Sequence, residues 1–148
     1  MQGMPQPKAP MDWRPLFWTG LVVSLALLLA PAEALLDMKI WVSQWLPFAD
    51  RIDAMNATQH SDKWLHLGIF ALLGWLGAQA WRQQPARRRQ LLGGLLLVAV
   101  ATECLQYWVP GRSPSLGDLL ADLAGLLLGT LAARAGARRS QAYAHHGV

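Results

Sequence analysis

The sequence predicts an all-α integral membrane protein, a four-helix transmembrane bundle with both termini in the cytoplasm. Three observations lead there. Of the 148 residues, 53% are hydrophobic and only 15% charged, and the apolar residues come in unbroken runs rather than at the spacing of a half-buried element. The basic residues are segregated between the segments that separate those runs. The tryptophans stand at the ends of the runs, where an indole ring suits the membrane–water boundary.

The uncharged stretch between Arg14 and Glu33, "PLFWTGLVVSLALLLAPA", gives a first span at about 15–35. Its basic start, apolar centre and "APAEA" also fit a cleavable signal peptide, against which the length of the apolar run argues. A second stretch between Lys63 and Arg82 gives a span at about 64–82, with His66 its one titratable group. Each approaches the ~20 residues that cross a bilayer. The third and fourth runs reach that length only when acids are included: Glu103 within 90–109, and Asp118 and Asp122 within 116–133. Residues 1–14 and 134–148 are read as cytoplasmic tails flanking a transmembrane domain at 15–133.

Within the outer segment, "MKIWVSQWLPF" sets Ile40, Trp41, Trp45 and Phe48 near one helical face, which suits a short interfacial helix. An ordered loop would serve as well. "RQQPARRR" is a cytoplasmic turn between spans two and three, and "PGRSPS" a tight outer turn that makes spans three and four antiparallel neighbours.

With the amino terminus inside, Lys8, Arg14, Arg82, Arg87, Arg88, Arg89, Arg134, Arg138 and Arg139 are cytoplasmic, out of 13 basic residues in all. Every acid but Asp12 falls outside. Such an excess of Lys and Arg sets orientation, so the net charge of +4 does not indicate a nucleic-acid partner. Trp13, Trp18 and Trp81 mark the inner boundary; Trp41, Trp45, Trp64 and Trp108 the outer; Trp75 falls mid-span. The single cysteine, Cys104, has no partner for an internal disulfide.

Depth locates the chemistry. At ~1.5 Å per residue, Glu103 lies ~7 Å below the outer boundary, Asp122 ~9 Å and His66 ~6 Å. Three helices bring polar groups to one shallow level on one side. Facing agrees: Asp118, Asp122, Gly125 and Gly129 form one stripe, and Ala121, Gly125 and Gly129 have the small-xxx-small spacing of closely packed helices. Lys63, His66, Phe70, Gly74 and Gly77 share a face of the second span, and Glu103 and Gln106 are helical neighbours. Asp62, Glu103, Asp118 and Asp122 supply four potential negative charges against two permanent positive ones, Lys63 and Arg112. That leaves room for a proton, a cation or a positively charged ligand group.

Simpler roles compete. Asp62 after Ser61 suits a first-turn acid behind an N-cap, and Asp118 after "SPSLG" is open to the same account. Arg112 suits a turn residue or a counter-ion, and His66 a capped hydrogen bond. Glu103 and Asp122 lie too deep for capping, and intramembrane acids are functional candidates by default. No Walker A loop, G-x-S-x-G, H-E-x-x-H or cysteine pair is present. No metal or cofactor is assigned: His66 is the cluster's one histidine, and a divalent cation on Glu103 and Asp122 would be opposed by Lys63 and Arg112. His145 and His146 sit in the C-terminal tail.

"DKWLHLGIFALLG" followed by "ECLQYWVPGRSPSLGDLLADLAGLLLG" strongly resembles the VanZ-like family of small integral membrane proteins. The matching pattern is Asp62, Lys63 and His66; then Glu103 and Gln106; then Pro110, Gly111 and Arg112; then Asp118, Asp122, Gly125 and Gly129. Asp122 stands where asparagine is more usual, one extra acid. The resemblance implies a multi-pass protein of the bacterial cytoplasmic membrane with a cell-envelope role, the namesake being an accessory factor in resistance to the glycopeptide teicoplanin. It implies no reaction and no oligomeric state.

The leading expectation is recognition or modulation of an outer-leaflet component, a membrane-lipid or cell-wall-precursor headgroup. Lys63, His66 and Arg112 would contact anionic groups; Asp62, Glu103, Gln106, Asp118 and Asp122 would orient them or bind amines. A second class is an enzyme using Glu103 or Asp122 with His66 as acid and base. A third is a transporter or lipid translocator, against which the inner halves of the spans offer no titratable relay.

Overall fold

The computed structural model describes residues 11–45 and 61–146. They form five helices and, among the described residues, no strand: α1 (Arg14–Leu28), α2 (Ala32–Ser43), α3 (Ser61–Ala80), α4 (Pro85–Gln106) and α5 (Leu116–His146). The all-α class is as expected. Most of the amino-terminal tail, and Phe48 of the expected interfacial face, lie outside the described residues.

The first span does not form one helix over 15–35. Pro31 has no N–H to extend the α1 ladder and biases Ala30 away from helical angles, so α1 stops at Leu28 and α2 leaves at 113° to it. The start of α2 is tied elsewhere, the Ala32 amide donating to the Pro110 carbonyl at 3.2 Å. α2 thus begins six residues before the expected interfacial segment, buries Leu35, and leaves Leu36, Ile40, Trp41 and Trp45 exposed.

The fourth helix also departs from its expected bounds. α5 runs on through 134–146 instead of ending at Ala133, because "RAGARRSQAYAHH" is rich in good helix formers and has no proline. Ser115 sets its start: its carbonyl accepts from the Asp118 and Leu119 amides, and its hydroxyl lies 3.4 Å from the Asp118 amide.

The core joins Phe17 and Leu28 of α1, Ile69, Phe70, Leu73 and Leu76 of α3, Leu95 and Ala99 of α4, and Leu126 of α5, with Trp81 just past α3. At one end Trp81 meets Phe17 and Trp18 edge to face, and Trp75 meets Trp13 with centroids 5.2 Å apart. Trp75 therefore belongs to the aromatic cluster that includes Trp13.

α5 packs chiefly on α3, and only more loosely on α4 across the "PGRSPS" turn. Its small-residue stripe is the reason. A Cβ at Gly125 or Gly129 would run into the backbone carbonyls of Leu67 or Ala71, so α3 and α5 touch backbone to backbone. The paired positions rise together (His66 with Asp122, Leu67 with Gly125, Ala71 with Gly129), which makes the two helices parallel. Gly111, at φ 73° with Ala32 against its α-carbon, makes the turn between α4 and α5 possible.

α5 over Leu116–Ala137 is long and apolar enough to cross a membrane, and α1 with α2 qualifies as a bent pair. α3 and α4 fall short on that measure. Asp62, Lys63, His66 and Gln79 dilute the first, and Arg87, Arg88, Arg89, Glu103 and Gln106 the second.

Candidate functional site

Four segments converge where α3 and α5 begin and α4 ends. The first turns of α3 supply Asp62, Lys63 and His66; the last turn of α4 supplies Glu103 and Gln106. The α4–α5 turn supplies Arg112 and Ser115, and the first turns of α5 supply Asp118 and Asp122. Positions 118 and 122 are one helical turn apart, so the stripe that turns Gly125 and Gly129 onto α3 also turns both aspartates inward.

The site has two layers. In the inner layer His66 and Asp122 are 0% exposed, and Glu103 and Asp118 are buried beside them. His66 Nδ1 lies 2.9 Å from Asp122 Oδ1 and 3.7 Å from Glu103 Oε1. Glu103 Oε2 accepts the Ser115 backbone N–H at 2.7 Å. With Asp122 ionised, the His66 Nδ1–H is the donor and the Nε2 lone pair is left over. Among the described residues, His66 Nε2, Glu103 Oε1, Asp118 Oδ1 and Asp122 Oδ2 have no hydrogen-bond partner. Such groups are costly in a membrane-facing fold unless something satisfies them.

The outer layer is a network of charges over this one. Arg112 donates to Asp62 Oδ2 at 3.3 Å and, from its other terminal nitrogen, to the Leu28 carbonyl at 3.4 Å. Gln106 Nε2 donates to the same carbonyl at 3.0 Å. Lys63 lies 3.7 Å from Asp118, and Lys39 of α2 lies 3.7 Å from Asp62. Asp62, Lys63, Gln106, Arg112, Ser115 and Asp118 line a pocket of about 200 Å³, completed by Gly111 and Ser113. Asp118 faces both that pocket and the buried layer.

All eight residues singled out from the sequence thus lie in one region: Asp62, Lys63, His66, Glu103, Gln106, Arg112, Asp118 and Asp122. Three participants were not singled out. Ser115 holds Glu103 through its backbone; the signal was available as a serine three residues before Asp118 at a helix start. The Leu28 carbonyl is freed by the break before Pro31, and Lys39 arrives on α2. Chemically, the inner layer offers three carboxylates and one imidazole, and the outer layer three basic side chains and the Asp62 carboxylate with hydroxyl and amide donors.

A family model described as VanZ/LLP1 matches residues 16–137. No curated protein matches the chain, and no solved structure matches it. The family match takes in α1 from Leu16 on, the polar residues of both layers and the apolar part of α5, and by it the chain belongs to the VanZ/LLP1 family.

Proposed function

We propose that this protein is a four-span membrane protein of the bacterial cell envelope that recognises an outer-leaflet headgroup, anionic or lipid-linked, in the polar pocket between α3, α4 and α5. Family membership and the apolar α5 support the membrane setting. So does the exposure of Leu16, Val22, Val23, Leu96, Leu97, Val100, Leu127 and Leu128 on the outward faces of α1, α4 and α5. A water-soluble monomer rarely shows apolar surface on that scale. α1 rises about 22 Å, less than the ~30 Å hydrocarbon core, and local thinning of the bilayer would accommodate it. The clustering of Arg82, Arg87, Arg88 and Arg89 at the end of the bundle opposite the pocket favours cytoplasmic termini.

The observation that carries the ligand reading is the mouth of the pocket. Lys63 is 40% exposed there, the buried Arg112 Nε has no hydrogen-bond partner among the described residues, and Ser113 and Ser115 line the same pocket. A phosphate or carboxylate finds point charge, guanidinium and hydroxyl donors within one small volume. The test is mass spectrometry of the lipids that copurify with the wild type and with Arg112→Ala and Lys63→Ala. One anionic or lipid-linked class should be enriched with the wild type and depleted at least fivefold in both variants. Identical lipid profiles would remove the reading.

A second reading is an acid–base enzyme acting on an envelope lipid. It is favoured by one feature, the pairing of His66 Nδ1 with Asp122 while Nε2 has no hydrogen-bond partner among the described residues, the arrangement of an oriented general base. Turnover of labelled membrane lipids by the purified protein, lost in His66→Gln, would establish it. Intact substrates across every lipid class would dispose of it.

A further inference from the structure

We propose that the buried layer is a binding site for one divalent first-row transition-metal ion, held by His66, Glu103 and Asp118. A ring nitrogen of His66 and one carboxylate oxygen from each acid all lie within 4.8 Å of one another. Some point must therefore lie no more than about 2.8 Å from all three, and small side-chain rotations would close that to the ~2.0–2.2 Å of zinc–nitrogen and zinc–oxygen bonds.

Proximity of acids alone would not make a site. The independent observation is the set of unpartnered atoms. Glu103 Oε1 and Asp118 Oδ1 accept no hydrogen bond among the described residues, with His66 Nδ1 and Lys63 Nζ each standing 3.7 Å off, and they lie on residues 6% and 8% exposed. His66, with no exposure, also has one ring nitrogen unsatisfied. Among the described residues, three carboxylates and an imidazole at this depth have Lys63 as the one basic side chain in ion-pair contact with them. Burying uncompensated charge is strongly unfavourable. A divalent cation offsets two negative charges at once.

The donor set selects the ion. One imidazole with two carboxylates suits zinc or manganese, whereas magnesium retains its waters and calcium asks for six to eight oxygens. With the unpartnered Nε2 as the ligating nitrogen, Asp122 on Nδ1 has a supporting place: a carboxylate bonded to a ligating histidine fixes the ring's orientation and tautomer. The Ser115 amide does the same for Glu103. Entry is through the pocket that Asp118 helps to line. Lys63 competes for Asp118, but its partly exposed side chain can withdraw to solvent. This inference goes beyond headgroup recognition and holds whether or not a headgroup binds.

The test uses the full chain purified in detergent, carrying His145→Ala and His146→Ala so that tail histidines do not take up metal. After stripping with a chelator, Zn²⁺ and Mn²⁺ are titrated in turn against a competing chelator. One ion of at least one of these metals should bind per chain, and Glu103→Gln and Asp118→Asn should each weaken it at least tenfold. Lys63→Met, which removes the competing ammonium, should tighten it severalfold. That variant keeps the test decisive if an acid-to-amide change prevents folding. The proposal is overturned if neither metal binds stoichiometrically, or if uptake is the same in all four proteins.

Discussion

His66 on α3 and Asp122 on α5 meet at 2.9 Å in an interior that exposes neither side chain, joining positions 56 residues apart. The contact locks the register of two parallel helices at the level where the polar layer begins. Asp122→Ala leaves His66 Nδ1 without its partner and should cost about 3 kcal/mol, as when one member of a buried pair is removed. Asp122→Asn keeps a carbonyl acceptor and should cost about 1 kcal/mol, in the range of hydrogen bonds between transmembrane helices. Thermal unfolding in detergent measures both. A double-mutant cycle with His66→Ala should give less than the sum of the single effects, since the two side chains share one interaction. Strict additivity would show that the pair is not coupled.

The closeness of α3 and α5 makes a second prediction. Alanine at Gly125 or Gly129 puts a methyl group into the Leu67 or Ala71 backbone, and backbone cannot swing aside as a flexible side chain does. Each substitution should cost about 2–3 kcal/mol, at the upper end of overpacking effects. At Gly68 and Gly93 nothing lies within 4 Å of a new Cβ. Gly68→Ala and Gly93→Ala should instead be neutral or slightly stabilising, because alanine is the better helix former. Equal effects at all four positions, read by thermal unfolding, would contradict this packing.

Topology is open to direct test. In a Cys104→Ser background, single cysteines can be placed at Gln84 and at Ser113 and probed with a membrane-impermeant maleimide. The proposed orientation requires labelling of Ser113→Cys in intact cells and of Gln84→Cys only after permeabilisation. The reverse pattern would invert the protein, and labelling of both in intact cells would mean that α3 and α4 do not span.

What the sequence disclosed was largely a matter of counting along helices. His66, Glu103 and Asp122 could be set at one depth because the rise per residue is fixed, and the structure brings them within 4 Å of one another in two pairs. The i, i+4, i+7, i+11 stripe of α5 named the packed face correctly, but spacing within one helix does not name the partner. The tight outer turn makes α4 and α5 antiparallel neighbours, but the glycines of α5 meet α3. The length of the first apolar run masked the local veto of Pro31, so one span was expected where there are two helices at 113°. The charge of "RAGARR" suits the start of a cytoplasmic tail, whereas charged residues of high helix propensity simply carry α5 onward past the apolar stretch.

The break before Pro31 also supplies the last prediction. It frees the Leu28 carbonyl, which two side chains from beyond α4's midpoint then satisfy: Gln106 at 3.0 Å and Arg112 at 3.4 Å. These bonds hold the end of α1 against the same turn that receives the Ala32 amide through Pro110. Gln106→Leu removes one donor and leaves the other, so it should cost about 1 kcal/mol. Arg112→Ala removes a charged donor and also strips Asp62 of its guanidinium, and should cost about 1.5–3 kcal/mol. Both should raise amide hydrogen exchange at Leu29, Ala30 and Ala32 more than in the middle of α3. If exchange at those three amides is unchanged while Arg112→Ala abolishes the proposed lipid enrichment, Arg112 acts on the proposed ligand alone and not through the α1–α2 corner.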